Sequence, residues 1–389
     1  MERLDVNLRH LRAFLAIMER GSVTAAAREV HLTQPAVTQG IAKLEVRFGV
    51  PLFERQPRRM IPTDEARILA PRATAIIRLL GQTRATAAQV SAFLGLSRAG
   101  SYANAATAMG LSEASLHRAV SDLSLALGQD LVRRRGKGVV LTARGLAMAR
   151  NFRLALAELR SADIELAALR GHERGRITIG AMPLSRARLL PSAVAAFHRA
   201  KPDIDIVIME GSYAELTGPL RDGDIDMMVG AARTNISADM AQRELFDDPL
   251  IILAGAHHPL AQARRPPTIA ALARYPWIVA AAGTPLRAHW QSMFEEVGVT
   301  PPRVPMECGS VMIVRQILVE SDFLTLLSPD QVSVELEAGW LVRIAGPVRP
   351  MSRTIGLTVR SDWRPTPAQA ALIEVIEEQA AVLRDEHTS

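Results

Sequence analysis

Residues 32–55 read LTQPAVTQGIAKLEVRFGVPLFER, and this stretch decides how the N-terminal part folds. Thr33 is a good helix N-cap, and Pro35 stands in the first turn, where its missing N–H costs little. Val37, Ile41, Leu44 and Phe48 then recur at helical spacing and give one apolar face. The opposite face carries Gln34, Thr38, Gln39 and Lys43, which bond base edges or phosphates if such a helix enters a major groove. Upstream, Leu8, Leu11, Leu15 and Met18 mark a helix closed by Gly21, and residues 23–30 form a short Ala-rich one. Downstream, the apolar pairs Leu52-Phe53 and Met60-Ile61 flank Arg55, Gln56, Pro57, Arg58 and Arg59, the pattern of a basic β-wing. Thr63, with Asp64 and Glu65 in the first turn, opens a further helix over 64–84. Periodicity alone leaves two readings open: a small helical domain with exposed cations, or helices and a wing that grip a polyanion.

Charge narrows the choice. The 389 residues carry a net charge of +6, unevenly spread. Residues 1–171 hold 25 Lys/Arg against 14 Asp/Glu, a net +11, and the remainder holds 21 against 26, a net −5. A basic half joined to an acidic half suggests a polyanionic partner for the first half only, whether DNA, RNA or anionic lipid. The start of the chain is charged at once and no run of 18 apolar residues follows, so a cytoplasmic protein with no membrane partner is expected. Cys308, the single cysteine, offers neither an internal disulfide nor metal-ligand spacing. No cofactor or metal is expected.

The strings Leu11-Arg12-Ala13-Phe14, Gly21-Ser22, Ala25-Ala26-Ala27, Leu32 to Thr38, Leu44-Glu45, Gly49 to Arg55 and Pro62-Thr63 closely resemble the LysR-type transcriptional regulators. That resemblance implies a winged helix-turn-helix reading operator DNA as part of a dimer. The candidate DNA-contacting set is then Gln34, Pro35, Ala36, Thr38, Gln39 and Lys43 on the helix, with Arg55, Arg58 and Arg59 on the wing.

The same unit recurs 79 residues later without a gap. Phe14 realigns with Phe93, Gly21-Ser22 with Gly100-Ser101, Ala26-Ala27 with Ala105-Ala106, Leu32 with Leu111, Leu44 with Leu123 and Gly49 with Gly128. Leu52 realigns with Leu131, Arg55 with Arg134 and Thr63 with Thr142. Residues 86–142 therefore read as a second winged helix-turn-helix. Glu113 stands in place of Gln34 and Asp122 in place of Lys43, and carboxylates repel phosphates. Against this, Arg133, Arg134, Arg135 and Lys137 make a more basic wing, and Ser115, His117 and Arg118 are placed to face a groove. Two readings stay open, a phosphate-gripping copy and a packing module. Residues 143–170 form a long helix with Leu146, Ala149, Phe152, Leu156, Leu159 and Leu166 on one side. Either its own domain covers that stripe or, as the resemblance implies, a second subunit does, giving a homodimer or homotetramer.

From residue 176 apolar strands alternate with helices, the pattern of an α/β domain with mostly parallel strands. Strands are expected at 177–181, 204–210, 225–230 and 250–254, with helices at 186–200 and 214–222 between the first three. A second set lies at 277–280, 304–308 and 323–327, and 354–359 returns to the first sheet. Arg176 to Gly180, Leu189-Leu190-Pro191, Leu220 to Asp226 and His258-Pro259-Leu260 resemble the effector domain of the same family, a two-lobed fold like the type 2 periplasmic binding proteins. Ligands of such folds lie between the lobes at strand ends and helix N-termini. Candidate effector contacts are Pro183, Leu184, Ser185, Ser212, Tyr213, Ala231, Gly283, Thr284, Ser310, Val311 and Met312, each of which also suits an ordinary cap or turn. His257-His258 is expected in a surface turn before Pro259, and Cys308 as a buried thiol.

The fold class expected is multidomain: an all-α/winged helix-turn-helix part in two tandem copies, 1–85 and 86–171, and a two-lobed α/β effector domain, 172–389. The function expected is transcription regulation on double-stranded DNA under control of a small-molecule effector, with RNA polymerase as a further partner. Within the family the effector half resembles regulators of sugar or aromatic-compound metabolism such as the galactose-binding-protein regulator subgroup, which implies a sugar or an aromatic acid. The competing class is a solute-binding protein or enzyme with an accessory basic segment; no paired acid and base or activated nucleophile supports it.

Overall fold

A computed structural model describes residues 4–56, 59–81, 83, 85–136, 138–172, 174–263, 265–344 and 350–388, without the side chains of 55 and 388. The chain divides into two compact units, one made of residues 1–175 with 222–224 and the other of the rest.

The first unit opens with α1 (Leu8–Arg20), α2 (Val23–Glu29) and α3 (Gln34–Phe48), a two-stranded wing of β1 (Phe53–Gln56) and β2 (Arg59–Pro62), and α4 (Asp64–Leu80). The pattern then repeats: α5 (Ala87–Ala99), α6 (Tyr102–Met109), α7 (Glu113–Leu127), the wing β3 (Val132–Arg135) and β4 (Gly138–Leu141), and the 27-residue α8 (Ala143–Leu169). Local chemistry sets each boundary twice. Thr33 Oγ1 accepts from Ala36 N and Ser112 Oγ from Ser115 N at the starts of α3 and α7. Gly49 and Gly128 end those helices in the left-handed region. Each wing is tied to its helix turn by one equivalent bond, Met60 N to Gly21 O (2.9 Å) and Val139 N to Gly100 O (3.0 Å).

One apolar core runs through both copies, from Leu4 to Leu166, and includes Phe14, Ile41 and Leu44 of the first and Phe93, Leu116 and Leu123 of the second. The stripe of α8 is covered inside the chain, by α4 and α5. Leu146 is the exception at 57% exposed. The stripe itself thus asks for no second subunit, because α4 supplies the cover.

The second unit contains β5 (Gly175–Ala181), α9 (Leu189–Ala200), β6 (Ile204–Glu210), α10 (Tyr213–Asp222), β7 (Met227–Ala231) and the 16-residue β8 (Met240–Gly255). It continues with α11 (Ile269–Leu272), β9 (Ile278–Val279), α12 (Pro285–Glu295), β10 (Met306–Glu307), α13 (Val311–Glu320), β11 (Thr325–Leu327), α14 (Ser333–Glu337), β12 (Leu341–Ile344), β13 (Met351–Arg360) and α15 (Pro367–Thr388). The main sheet has the order β11-β8-β13-β7-β5-β6, with β12 also on β8. It is mixed rather than mostly parallel. β5 pairs β7 in parallel, whereas β13 runs antiparallel to both β7 and β8, and β11 and β12 run antiparallel to β8. The sequence expectation failed here because residues 240–249, MAQRELFDDP, are broken by the blocks Gln242 to Glu244 and Asp247-Asp248 and give neither a long apolar run nor a strict alternation.

Two of the buried apolar clusters in this unit mark two lobes. One gathers Ile177, Ile179, Phe197, Val229, Leu357 and Ile376; the other is built on Ile252, Leu253, Leu326 and an aromatic cluster of Trp277, Trp290 and Phe294 with centroids 5.3–5.8 Å apart. β8 and β13 cross from one core to the other, since Phe246 and Ile355 belong to the first and Leu250 and Met351 to the second. At that crossing Asp248, Arg353, Ser328 and Gln331 are all buried. Arg353 Nε donates to Asp248 Oδ2 (2.9 Å), its Nη2 to Gln331 Oε1 (2.7 Å), and Ser328 Oγ to Asp248. No described helix is long and apolar enough to cross a membrane.

Candidate nucleic-acid interface

On α3 the pattern 37, 41, 44, 48 is buried, which turns the intervening residues outward by geometry alone. Gln34, Pro35, Thr38, Gln39 and Lys43 are exposed and Ala36 is half-buried. Gly40, on the buried side, lets α1 approach so closely that a Cβ there would meet the His10 ring at 2.9 Å. Burial, and then the charge of Lys43, hold His10 below its ordinary value. The start of α2, the face of α3 and the wing enclose one groove, lined by Ser22, Thr24, Thr38, Gln56 and Arg59. The polar face of one helix thus adjoins Arg59, with a threonine-capped N-terminus and no acidic residue in its first turn. Such a surface donates to and accepts from base edges and attracts phosphate. Arg58 lies outside the described residues, as does the side chain of Arg55; the backbone of Arg55 pairs with Met60.

The equivalent groove of the second copy lies between Ser101, Tyr102, Glu113, His117, Arg133, Arg134 and Gly138. Ser115, His117 and Arg118 are exposed on α7, and Arg133, Arg134 and Arg135 on β3; Lys137 lies outside the described residues. Glu113 and Asp122 are exposed too, so this face carries both signs of charge. His117 is less available than its position in the sequence implies. Its ring stacks on Tyr102 (centroids 4.7 Å apart, planes 29° apart) and its Nδ1 lies 3.3 Å from Ser121 Oγ. Burial pushes the Tyr102 hydroxyl up. Sequence reasoning missed Tyr102, although the 79-residue shift puts it opposite Val23, and an aromatic replacing an aliphatic residue beside the groove was the available signal.

In the second unit the effector candidates do fall at strand ends and helix starts. Pro183 to Ser185 form one 3-10 turn after β5. Ser185 is buried and its Oγ donates to Met182 O (2.9 Å) and Val229 O (3.1 Å), so it holds the turn after β5 to β7. Ser212 and Tyr213 open α10, where Ser212 N and Oγ both donate to Glu215 Oε2 (2.8 Å each) and Arg233 lies over the Tyr213 ring. Ala231 ends β7 and is buried. Gly283 has φ +79°, and Thr284 caps α12 by accepting from Arg287 N. Ser310, by contrast, makes no capping bond at the start of α13, and Met312 beside it is well exposed. His258 corrects an expectation. It stands in the turn before Pro259, but it is buried at 1% exposure, with Nδ1 accepting from Leu260 N and its ring 4.6 Å from that of Tyr275. Cys308 is half-buried at the edge of the second-lobe core.

A winged helix-turn-helix model described as the bacterial regulatory helix-turn-helix protein, lysR family, matches residues 8–67 and again 87–146. The LysR substrate binding domain model matches residues 170–381, more than half of the chain. The chain belongs to the LysR family. It is a DNA-binding transcription regulator with a small-molecule effector domain, and the solute-binding or enzymatic alternative falls away. The HTH-type transcriptional regulator GalR of Pseudomonas putida is 33% identical to this LysR-type regulator over 96% of this chain and 98% of that protein. The regulator GbpR of Azospirillum brasilense is 28% identical over 58% of this chain and 66% of that protein. Among solved structures, ArgP from Mycobacterium tuberculosis superposes with a TM-score of 0.57 at 19% identity, covering 75% of this chain and 96% of that one. A full-length OxyR variant from Pseudomonas aeruginosa superposes with a TM-score of 0.56 at 20% identity, covering 76% of this chain and 94% of that one. These two confirm the fold.

Proposed function

We propose that the first head reads operator bases and the second grips the DNA beside it, mainly but not solely through phosphates, under control of an effector bound between the lobes. The observation that carries this reading is the exposed face Gln34, Thr38, Gln39 and Lys43 beside Arg59, on a helix whose other face is buried. Gln34 and Gln39, with Thr38, are the base readers, and Lys43 with Arg55, Arg58 and Arg59 the phosphate contacts. In the second head Arg133, Arg134, Arg135 and Lys137 contact phosphate, with Ser115 and Arg118 beside them and His117 held in place by Tyr102. The functional segments are 1–85, 86–171 and 172–389. In the effector domain Pro183, Leu184, Ser212, Tyr213, Ala231, Gly283, Thr284, Ser310, Val311 and Met312 line the cleft, and Ser185 supports it from behind. A sugar or an aromatic acid is the effector class, and its binding biases the lobe closure that positions the heads. The regulator acts in the cytoplasm as a homodimer or homotetramer that meets RNA polymerase at the promoter.

The test is selection of duplexes by the full chain, then measurement of Gln34→Ala and Gln39→Ala on the recovered site and its single-base variants. Each lost bidentate pair is worth about 1–3 kcal/mol of discrimination, roughly 5- to 150-fold. Unaltered discrimination in both variants contradicts the assignment of α3 as the base reader.

A further inference from the structure

The two heads are joined head to tail in sequence but not in space. α4 and α8 leave their heads in the same way: Thr63 Oγ1 donates to Pro51 O (2.9 Å) and Thr142 Oγ1 to Asp130 O (2.7 Å), each just before its wing. Those two helices then pack in opposite directions. Arg72, midway along α4, bonds Glu158 and Glu165 of α8. Arg170, at the end of α8, donates to Gly49 O (3.3 Å), close to the point from which α4 departs. Arg47, at the end of α3, forks onto both oxygens of Asp163 at 3.0 and 2.9 Å. The end of α8 thus lies beside the beginning of α4.

The facing sides are also the same side. On α8 the 79-residue repeat puts Asn151 in the place of Arg72, and Glu158 and Glu165 stand seven and fourteen residues beyond it, on the same stripe, about two and four turns away. Equivalent stripes meeting in reversed direction are what a half-turn produces; translation along the chain cannot produce them.

We propose that one chain is by itself a two-headed reader of an inverted repeat with unlike halves, α3 seated on one half and α7 on the other. This rests on the DNA reading given above. A duplex has dyads of its own, so heads related by a half-turn fit inverted rather than direct half-sites. The halves are unlike because Gln34, Thr38, Gln39 and Lys43 are matched by Glu113, His117, Arg118 and Asp122. Whatever larger assembly forms, each chain then accounts for two half-sites.

Selection from a randomised duplex pool with the full chain, followed by native mass measurement and footprinting of the complex, tests this. The expected result is an inverted pair of unlike halves and two protected half-sites per chain. One half-site per chain, or a direct repeat, overturns the inference while leaving DNA reading intact. Failure to enrich any duplex at low salt overturns the DNA reading itself. A second protein carries E113Q, H117T, R118Q and D122K, all exposed changes that give α7 the face of α3. Its selected site becomes a palindrome, still at two half-sites per chain; an unchanged site overturns the placement of α7.

Discussion

Arg72 and Glu165 form a buried two-point ion pair between α4 and α8: Nη2 to Oε1 is 2.7 Å and Nε to Oε2 is 3.1 Å. The guanidinium is 1% exposed and its remaining nitrogen reaches Glu158 at 3.0 Å. Desolvation opposes its charge, but the two carboxylates outweigh that effect and hold the arginine above its ordinary value. The pair specifies which helix α8 covers, because no apolar neighbour leaves two carboxylates satisfied there.

Arg72→Ala strands both glutamates against the core. It is expected to lower the stability of the first unit by about 3–5 kcal/mol in urea unfolding. Replacing all three by apolar residues, R72M with E158L and E165M, restores most of that loss. A loss below about 1 kcal/mol in the single variant contradicts the role given to the pair.

Gly145 tests the second head alone. A Cβ there would stand 1.9 Å from Leu131 O, a backbone atom that carries the wing. Gly145→Ala is expected to cost about 1–3 kcal/mol, since the helix start or the strand must shift. The first head has Ala66 at the matching position, fully buried without conflict, so its packing is the internal control. An unfolding midpoint equal to that of the parent contradicts the close approach.

Which parts of this architecture were legible follows from what a sequence pattern encodes. The buried face of α3 and the capping threonines are local, and they stood in the residues at helical spacing. The repeat was equally legible, because a gapless shift of 79 preserves core and cap positions together. The partner of α8 was not: an apolar stripe demands cover without naming it, and Arg72 lies 86 residues from Glu158. β8 was half missed for a related reason, as its largely polar first half is ordered by pairing with β13. The lock of Asp248, Arg353, Ser328 and Gln331 draws on separate strands and turns, and no spacing announces it.

That lock ties the two lobes at their crossing strands. Arg353→Met leaves Asp248 buried without its cation and is expected to cost about 3–5 kcal/mol in the second unit. Arg353→Met with Asp248→Leu recovers part of it. Equal unfolding midpoints for parent and single variant are the result that contradicts it.

Burial lowers His258 below its ordinary value, against the opposing pull of Asp322. The folded chain therefore favours the neutral ring. Its contribution to stability is complete above about pH 6.5, the usual value, and is lost as pH falls from there towards the lowered one. Urea midpoints at about pH 7.5 and about pH 5.5, on either side of that value, should differ more in the parent than in His258→Asn, whose amide oxygen can still accept from Leu260 N. An identical pH response in both contradicts the assignment.

The second head decides whether one chain grips DNA at two places, and its wing offers the most direct measurement. The logarithm of the binding constant on the selected operator falls with the logarithm of salt concentration by about 0.9 per neutralised phosphate. With Arg133, Arg134 and Arg135 all changed to alanine, the slope should shrink by up to about 2.7, one step of about 0.9 for each contact, while base discrimination by α3 persists. A slope equal to that of the parent means that the second wing touches no phosphate and that the chain reads with one head.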